Sequence, residues 1–450
     1  MRILLLCDHK WRDLPGLSYL KVLLEKDFGH RVVIAPIIYW DDYIRGFRPH
    51  LIVMNHVNGT RNRGIAKKAK DSGSAVCVLP TEGLPNHQEI ALIFAGKFTD
   101  LSHVDLYFVW NKVMQQTMIK EQTISEDKIV VIGTPRFDFY TPPLSKIIST
   151  REKFCEDYQM NPEIPLITWA TNFPLAKFAD QNQDFFKKDF IDLGYLNLES
   201  FPGLEYLPGQ QKEAQNFTLE VMNHIIRKLP KVNFAIKPHP AEAIDIYKHF
   251  VGGIGEKRVV LVLDRYIWDV VKASDLHLHH RCITAPEAWL FGKPTIEMKL
   301  TDGDYWFSEE LAKGNHLVMN EDALLDCIRY YLNGGMIPSQ YLKVREAFIT
   351  KWFYRIDGQR TMECAKVINN FLQNNKPKPN FLQMSDMRLA ARLRIRHTFS
   401  TPYYQSVRSV LRRNNKNEYL IDYYGQRDKT VQPEDVKAWV QKVKTLVYNT

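Results

Sequence analysis

Short apolar segments alternate with helical segments along most of this chain, and this alternation limits the possible folds more than any other feature. Parallel strands are short apolar runs, and each needs a crossover, usually a helix, to reach the next strand. The first series has predicted helices over 14–26 and 61–71, and its predicted strands span 2–7, 31–36, 51–55, 75–79, 104–110 and 129–132.

A second series of the same kind follows a charged stretch around residues 142–165. Its predicted strands span 166–170, 233–236, 259–263, 276–278 and 294–298, and its predicted helices span 216–229, 267–272 and 284–291. Helices must cover both faces of such sheets. We therefore predict an α/β chain with two Rossmann-like, doubly wound domains facing a cleft, over residues 1–145 and 146–375, and a C-terminal extension over 376–450.

Composition and charge narrow the class of protein. At 450 residues the chain exceeds one ordinary domain, and its net charge of +9 favours an anionic partner or surface. The six cysteines form no C-x-x-C pair, which indicates reduced thiols and no zinc site. The opening MRILLLCDHKW is typical of a buried strand rather than a signal peptide, and no window offers a membrane span. We expect a cytoplasmic protein, peripheral at most on the inner face of the plasma membrane.

The C-terminal extension is basic and amphipathic. The stretches MSDMRLAARLRIRH and SVRSVLRRNNK interleave arginine with apolar residues. Such a segment either packs on the body of the protein, with arginine stems covering apolar surface, or binds an anionic membrane surface through residues 384–416. The sequence leaves both alternatives open.

Polar residues follow four strands of the first domain, where ligands bind in open α/β sheets. In loops, such residues also form turns and cap helices. Because four strand ends carry them, we predict a polar cleft, formed by Asp8, Arg12, Asp13, Asn55, Asn58, Glu82, Arg136 and Asp138.

Glu82 is the preferred catalytic carboxylate of this group. It follows an apolar strand and precedes a glycine, so it is expected to project from the sheet edge. Partial burial there would raise its pKa and suit it to general-base catalysis. Asp13 and Asp8 are the competing candidates, and a helix-capping role for Glu82 is the structural alternative.

The loops of the second domain suit an anion. Lys237 and His239 supply donors in Lys-Pro-His-Pro, Pro240 stiffens that loop, and the helix expected to begin at 241–244 favours negative charge at its start. Phosphate fits this loop better than a metal. Thr171 and Asn172 follow the first strand of the domain.

The stretch DLHLHHRCITAPEAW contributes the last group of candidates. His277 and His279 would share one face of a strand, but no complementary ligand pattern closes a metal site. We instead predict a loop followed by a helix that Thr284 caps, with Pro286 in its first turn. His280, Arg281, Thr284 and Glu287 would then contact the ligand, and Glu287 could accept both ribose hydroxyls of a nucleotide.

Absent motifs exclude several enzyme classes. The sequence has no G-x-x-x-x-G-K-[ST], no G-x-G-x-x-G after a strand and no G-x-S-x-G. These absences weigh against P-loop ATPases, dehydrogenases and α/β-hydrolases, respectively. No acidic pair suited to a divalent metal stands near the predicted anion site, so neither a metal nor another cofactor is expected.

The motifs CDHKWRDLPGLSYLKVLLEKDFGHRVVIAP, NHVNGTRNRGIAKKAK, VLPTEGLPN, IGTPRFDFY, WATNF, KPHP and APEAWLFGKPT resemble those of bacterial surface carbohydrate biosynthesis proteins, over residues 1–370. That family has the GT-B glycosyltransferase architecture and is similar to capsule Kdo transferases and bacterial sialyltransferases. In those enzymes a His-Pro motif contacts the phosphate of a CMP-activated sugar, which His239 and Pro240 match. A Glu-Gly pair near their catalytic centre resembles Glu82-Gly83.

The resemblance implies a metal-independent glycosyltransferase that uses a nucleotide-sugar donor, with CMP-linked Kdo or another nonulosonic acid favoured, in capsule or lipopolysaccharide synthesis. His239 would stabilise the leaving phosphate. Glu82 would deprotonate the acceptor glycan or glycolipid, or attack the anomeric carbon. Asp13, Arg12 and Arg136 would orient acceptor or donor. A CDP-glycerol-type phosphotransferase and a UDP-sugar glycosyltransferase are the alternatives, and nucleic acid is not an expected partner.

Overall fold

The computed structural model describes residues 1–84, 88–179, 206–302, 308–398 and 431–448, which form two compact units. The first unit comprises Met1–Gly83, Leu92–Ile147 and Phe353–Thr450, and the second comprises Leu84–Ala91 and Ile148–Trp352. The described strands are β1 (Arg2–Cys7), β2 (Arg31–Pro36), β3 (Leu51–Met54), β4 (Ala75–Val78), β5 (Leu106–Val109), β6 (Ile129–Val131), β7 (Leu166–Ala170), β8 (Asn233–Lys237), β9 (Val259–Leu261), β10 (Leu276–His279), β11 (Thr295–Met298) and β12 (His316–Val318).

The described helices are α1 (Lys10–Lys26), α2 (Trp40–Phe47), α3 (Thr60–Asp71), α4 (Gln88–Phe94), α5 (Lys112–Lys120), α6 (Arg151–Asp157), α7 (Leu207–Lys228), α8 (Ile244–Ile254), α9 (Ile267–Ala273), α10 (Thr284–Leu290), α11 (Glu309–Ala312), α12 (Glu321–Leu332), α13 (Ser339–Phe353), α14 (Arg360–Asn375), α15 (Met387–Thr398) and α16 (Pro433–Tyr448).

Each unit contains one six-stranded parallel sheet. The strand order is β2-β1-β3-β4-β5-β6 in the first unit and β12-β11-β10-β7-β8-β9 in the second. These are doubly wound arrangements, in which the chain starts in the interior of the sheet and builds outward in both directions. The prediction of two Rossmann-like α/β domains is confirmed.

Most strand residues are buried because helices cover the sheets. All residues of β3, β4, β5 and β7 are buried. This explains why the strands were recognisable as continuous apolar runs rather than alternating patterns. The bounds of the predicted strands differ from the observed ones by two residues at most. Strand β12 was not predicted. Helix α7 begins nine residues before its predicted start at 216.

The chain returns to the first unit after the second sheet is complete. Helices α14, α15 and α16 all belong to the first unit, whereas the sequence suggested a domain boundary at 375 and a separate extension. Leu389 and Leu393 of α15 pack against the main hydrophobic cluster of the first unit. Val443 of α16 is fully buried, and Trp439 packs edge-on against Phe139. The described helices of the extension therefore pack on the body of the first unit.

Gly133 allows this return after β6. Its φ is +76°, and a Cβ atom there would lie 2.9 Å from Cδ of Arg360 and 3.2 Å from the carbonyl oxygen of Phe353. A side chain would therefore be strained and would collide with the start of the returning segment.

Within the described ranges, no helix combines the length and apolar character of a membrane span.

Candidate functional site

The strand order of the second unit places one crevice between β7 and β10. The chain builds the sheet in opposite directions from these two adjacent strands. Loops that leave the carboxyl ends of such strands diverge, and ligands of open α/β folds bind where they do so. The loops here begin with Thr171 after β7 and with His280 after β10, and the His239 loop follows the neighbouring strand β8.

A buried carboxylate, Glu242, holds the β7 and β8 loops together. Its oxygens accept hydrogen bonds from the Thr171 hydroxyl at 2.9 and 3.0 Å, from the Phe173 amide at 2.8 Å and from the His239 amide at 3.3 Å. The Tyr247 hydroxyl donates to the same group. Burial raises the pKa of Glu242, and these donors oppose the shift. Because one carboxyl group serves several backbone and side-chain donors, it fixes the shape of both loops.

The His239 loop presents an oriented imidazole. The Ala241 amide donates to Nδ1 of His239 at 3.2 Å, so the neutral ring carries its proton on Nε2 and can donate from that atom. His239 and Lys237 are half-buried, and Pro240 is exposed. Helix α8 begins only at Ile244, at the late end of the predicted range, and the Glu242 amide closes a turn by donating to the carbonyl of His239 at 2.9 Å. The loop therefore offers side-chain donors more directly than a helix start.

Asn172 links the loops on either side of the crevice. Its side-chain amide donates to the carbonyl of Arg281 at 3.0 Å. Arg281 is buried and has a φ of +47°, a left-handed conformation that is costly for a residue with a side chain. Such local strain persists where surrounding contacts enforce it, and it is concentrated at functional sites.

His280 lies in the interior beside the same crevice. Its Nδ1 donates to the carbonyl of Met298 at 2.7 Å, and its ring stacks on Phe173 with 4.6 Å between centroids. Burial lowers the pKa of His280 well below its usual value, and the charge of Arg281 adds to this shift. The ring is therefore neutral, and it packs against Phe173 in the loop that follows β7.

The β10 loop differs from the prediction in its helix start. Thr284 was expected to cap the helix, but it is the first residue of α10 and its hydroxyl contacts Nε2 of His277 at 2.9 Å. The predicted cap is therefore wrong, because the buried imidazole competes for the hydroxyl. Glu287 lies in the first turn of α10, as predicted, and is 4% exposed.

The first unit gathers several of its predicted polar residues around Arg12. The guanidinium donates to Asp13 at 2.6 Å, to Asp8 at 3.4 Å and to Glu82 through a short contact. Burial alone would lower the pKa of Arg12, but the carboxylates of Asp13 and Glu82 raise it well above its usual value. Asn55 donates to Asp8 at 3.3 Å. These residues follow β1, β3 and β4, as the sequence predicted.

Glu82 differs from its expected environment. Its side chain is 53% exposed and ion-paired with Arg12, so the expected partial burial is wrong. A neighbouring guanidinium stabilises the ionised carboxylate, which is the form that a general base or a nucleophile requires. The next residue, Gly83, lies against the indole of Trp110, where a Cβ atom would be 2.4 Å from the ring. That contact holds the chain immediately after Glu82.

Asp13 is used to build the β1 loop. Its Oδ2 accepts from the amides of Asp8 at 3.2 Å and His9 at 2.9 Å, while Oδ1 accepts from Arg12. The residue is 3% exposed. This arrangement makes Asp13 a positioning residue for Arg12 and the loop.

Two further residues of the predicted cleft have structural partners. Asn58 accepts from Thr99 at 2.9 Å and donates to the carbonyl of Ile93 at 3.4 Å. Arg136 lies over the rings of Trp110 and Phe137, at 5.9 and 4.9 Å from their centroids. Both side chains therefore contribute to packing around the strand ends.

Asp138 is 1% exposed and binds the start of α14. It accepts from the amides of Arg360 at 3.0 Å and Thr361 at 2.7 Å, and from the Thr361 hydroxyl. A cleft role for Asp138 is therefore wrong, because its oxygens satisfy amides that the helix start cannot pair internally.

Two residues of these sites were missed at the level of sequence. Glu242 was interpreted as part of a helix start, although Tyr247, which would lie near it on a following helix, was an available signal. His56 follows β3, and its Nδ1 lies 3.1 Å from the side-chain nitrogen of Asn62. Burial lowers the pKa of His56.

Among the residues that the structure describes, no group of three His, Cys, Asp or Glu side chains is arranged for a metal ion.

Comparisons with known proteins identify the fold. No family model matches the chain, and no curated protein matches it in sequence. Among solved structures, a variant of the wall teichoic acid polymerase TagF soaked with CDPG has a TM-score of 0.55 at 10% identity, over 84% of this chain and 90% of that one.

Epimerases share the same architecture. MnaA of S. aureus with UDP has a TM-score of 0.51 at 12% identity, covering 84% of this chain and 99% of that one. UDP-GlcNAc 2-epimerase of Neisseria meningitidis bound to UDP-GlcNAc also has a TM-score of 0.51, at 13% identity, covering 82% and 100%. At such identities the likeness shows the fold alone, which is two Rossmann-like domains of the GT-B type.

Proposed function

We propose that this protein is a glycosyltransferase that uses a nucleotide-activated sugar, with CMP-linked Kdo or another nonulosonic acid as the preferred donor and a surface glycan or lipid-linked glycan as acceptor. The observation that carries the proposal is the His239 loop. A buried carboxylate orients this loop beside the strand-order reversal of the second sheet, where Rossmann-like domains bind nucleotides. Solved proteins of this fold with bound UDP or UDP-GlcNAc support a nucleotide donor.

His239 stabilises the leaving group in the proposed reaction. When the bond between the anomeric carbon and the phosphate oxygen breaks, the electron pair and negative charge pass to the nucleotide phosphate. The Nε2–H of His239 and the ammonium of Lys237 are the donors proposed for this charge. Because the Ala241 amide orients the ring beforehand, little reorganisation is required during the reaction.

Glu82 is the proposed partner of the acceptor. The acceptor oxygen forms the new bond to the anomeric carbon, and Glu82 takes its proton; in the alternative route, Glu82 first attacks the anomeric carbon. The ion pair with Arg12 holds the carboxylate in place for either route. Asp13, Asp8 and Asn55 position Arg12 through their hydrogen bonds.

A CDP-glycerol-type polyol phosphotransferase is the second candidate. The match to TagF with CDPG is the observation that favours it. The same His239 loop would then bind the phosphate that is transferred. Product analysis separates the two reactions, because sugar transfer from a CMP donor yields CMP and a glycosidic bond, whereas polyol transfer yields CMP and a phosphodiester. A UDP-sugar donor would release UDP instead.

We also propose attachment to an anionic membrane surface on the cytoplasmic side, with residues 384–416 contributing; of these, 399–416 lie outside the described residues. Met384 and Met387 are 86% and 55% exposed, and Arg388 and Arg394 are exposed on the same segment. Basic and apolar residues together favour an interfacial location.

A thermal melt with CMP, CDP, UDP and GDP tests the donor class, since a ligand that binds only the folded state raises the melting temperature. We expect the largest increase with a cytidine nucleotide. His239→Ala should lower turnover by roughly 100-fold or more, as loss of a transition-state donor does.

Replacement of His249 with Ala is the matched control, because His249 is an exposed histidine of the same unit. Unchanged turnover in His239→Ala, with CMP-donor activity present in the parent protein, would contradict the phosphate role. Absence of stabilisation by any nucleotide would contradict the donor class.

A further inference from the structure

A large cavity lies in the first unit, at the opposite edge of the sheet from the Arg12 cluster. It has a volume of about 1070 Å³, which is ample for a lipid headgroup or another small ligand. Arg2 and Arg31, the first residues of β1 and β2, line it, and the segment 377–382 and helix α15 complete it. The cavity therefore lies at the amino-terminal ends of the strands, and the proposed reaction does not use it.

The cavity is strongly basic. Arg2, Arg31, Arg48, Lys378 and Arg394 line it, with His50, and no carboxylate is among its described lining residues. Arg2 and Arg31 are directly paired in the register of the parallel strands, so their side chains leave the same face of the sheet. Burial lowers the pKa of Arg2, and the charge of Arg31 adds to the shift. Two neighbouring guanidiniums without a local carboxylate favour an anion between them.

Arg48 adds a buried donor to this surface. The residue is 9% exposed, with a left-handed φ of +53°. One terminal nitrogen donates to the carbonyl of Phe381 at 2.6 Å, whereas its Nε has no hydrogen-bond partner in the described part of the chain. A buried donor of a charged group is costly when it makes no hydrogen bond. We therefore expect an atom of a ligand or a water molecule to accept a hydrogen bond from this Nε.

Apolar side chains stand beside the cations on a fixed segment. The amide of Asn380 donates to the carbonyl of Ser72 at 2.9 Å, and its side chain donates to the carbonyl of Asp71 at 3.1 Å. The backbone is thus anchored, yet Phe381 is 98% exposed and Leu382 is 44% exposed. A fixed backbone that presents an aromatic ring to solvent beside clustered cations is typical of a membrane-interface contact.

We propose that this basic cavity binds the anionic headgroup of a membrane phospholipid, while Phe381 and the neighbouring Met384 enter the acyl region. The proposal rests on the membrane attachment proposed above and names its lipid class and its site. Charge complementarity favours a phosphate-bearing headgroup, and the exposed aromatic ring favours a lipid over free phosphate.

Sedimentation with vesicles tests the proposal. The full-length protein is mixed with vesicles of phosphatidylcholine alone or with added phosphatidylglycerol. We expect binding only to the anionic vesicles, a loss of about 30-fold in the double variant Arg2→Gln/Arg31→Gln, and a further loss in Phe381→Ser. Lys231→Gln/Lys257→Gln and Met336→Ser, at exposed positions of the second unit, are the matched controls. The melting temperature of each variant without ligand verifies that it is folded.

The outcomes separate the proposals. Equal vesicle binding by the cavity variant and the lysine control would overturn the cavity site while leaving membrane attachment in place. No binding to anionic vesicles would overturn both, and turnover with a nucleotide donor would still stand as a separate result. Complete displacement by free glycerol phosphate, together with normal binding of Phe381→Ser, would identify a soluble phosphate ligand and overturn the lipid assignment.

Discussion

Glu242 illustrates how a single buried side chain defines the proposed donor site. Thr171, Phe173, His239 and Tyr247 all donate to its carboxyl group. These donors come from two stretches that lie far apart in the sequence, so their convergence depends on folding. The residues that contact a ligand and the residue that positions them are therefore different, and only the former have a recognisable motif.

Replacement of Glu242 with Ala should destabilise the second unit by roughly 3 kcal/mol, because several buried donors lose their acceptor. Donor affinity should also fall, since the His239 loop loses an anchor. Urea unfolding and nucleotide titration measure these effects. Glu213→Gln, at an exposed position of α7, should behave as the parent protein does. Unaltered affinity in a folded Glu242→Ala protein would show that the loop does not need this anchor.

The buried histidines of β10 and its loop predict acid sensitivity. Burial lowers the pKa of His279 to about 3 and places the pKa of His277 and His280 well below the usual value. Below about pH 6.5 the unfolded chain therefore binds more protons than the folded one, so stability falls as the pH falls, by up to about 1.4 kcal/mol per pH unit for each histidine.

The variant His280→Asn tests this pH dependence, since asparagine can still donate to the carbonyl of Met298. Its melting temperature should fall less steeply than that of the parent protein between about pH 7 and pH 5. His249→Asn serves as the exposed control. Parallel pH profiles for the His280 variant and the parent would contradict a neutral buried ring.

At the scale of secondary-structure elements, helix starts and strand ends are joined by side chains from distant parts of the sequence. Asp138, which follows β6, satisfies the first amides of α14. Burial raises its pKa, while the hydrogen bonds from Thr361 and Arg360 oppose the shift. This one contact fixes where the returning chain resumes in the first unit.

Asp138→Ala should lower the stability of the first unit by about 2 kcal/mol, because α14 loses its cap and buried amides lose an acceptor. Chemical unfolding measures the change. Glu363→Ala removes an exposed ion pair with Lys366 in the first turn of the same helix and should cost less than about 1 kcal/mol. Equal effects of the two replacements would argue against the capping role.

At the scale of the whole molecule, the first unit is assembled from both ends of the chain. Its sheet comes from residues 2–131, and α14–α16 come from residues 360–448. Helix α16 packs along α1, where Tyr448 donates to Asp27 at 2.8 Å and Lys10 pairs with Asp435 at 2.9 Å. Helix α16 is thus part of the packed body of the first unit.

Removal of residues 431–450 should increase hydrogen exchange in β1 and α1. The truncation removes Val443 and Trp439, so the surface of the first unit that they cover becomes exposed to water. Exchange in β7 and β8 should change little. Mass spectrometry of deuterated peptides measures both regions in one experiment. Trp439→Ala should produce a weaker form of the same effect, and unaltered exchange in α1 after truncation would contradict the packing role.

The amino-acid sequence alone predicts the α/β class, the two series of strands and the loops that carry polar residues, because buried parallel strands require continuous apolar runs. It also singled out Asp8, Arg12, Asn55 and Glu82, since strand ends of one sheet share an edge. The folded protein is needed to show that Glu242 holds two loops together, that Asp138 caps α14 and that the residues after 353 return to the first unit. Those features depend on contacts between residues far apart in the chain, which local periodicity does not encode.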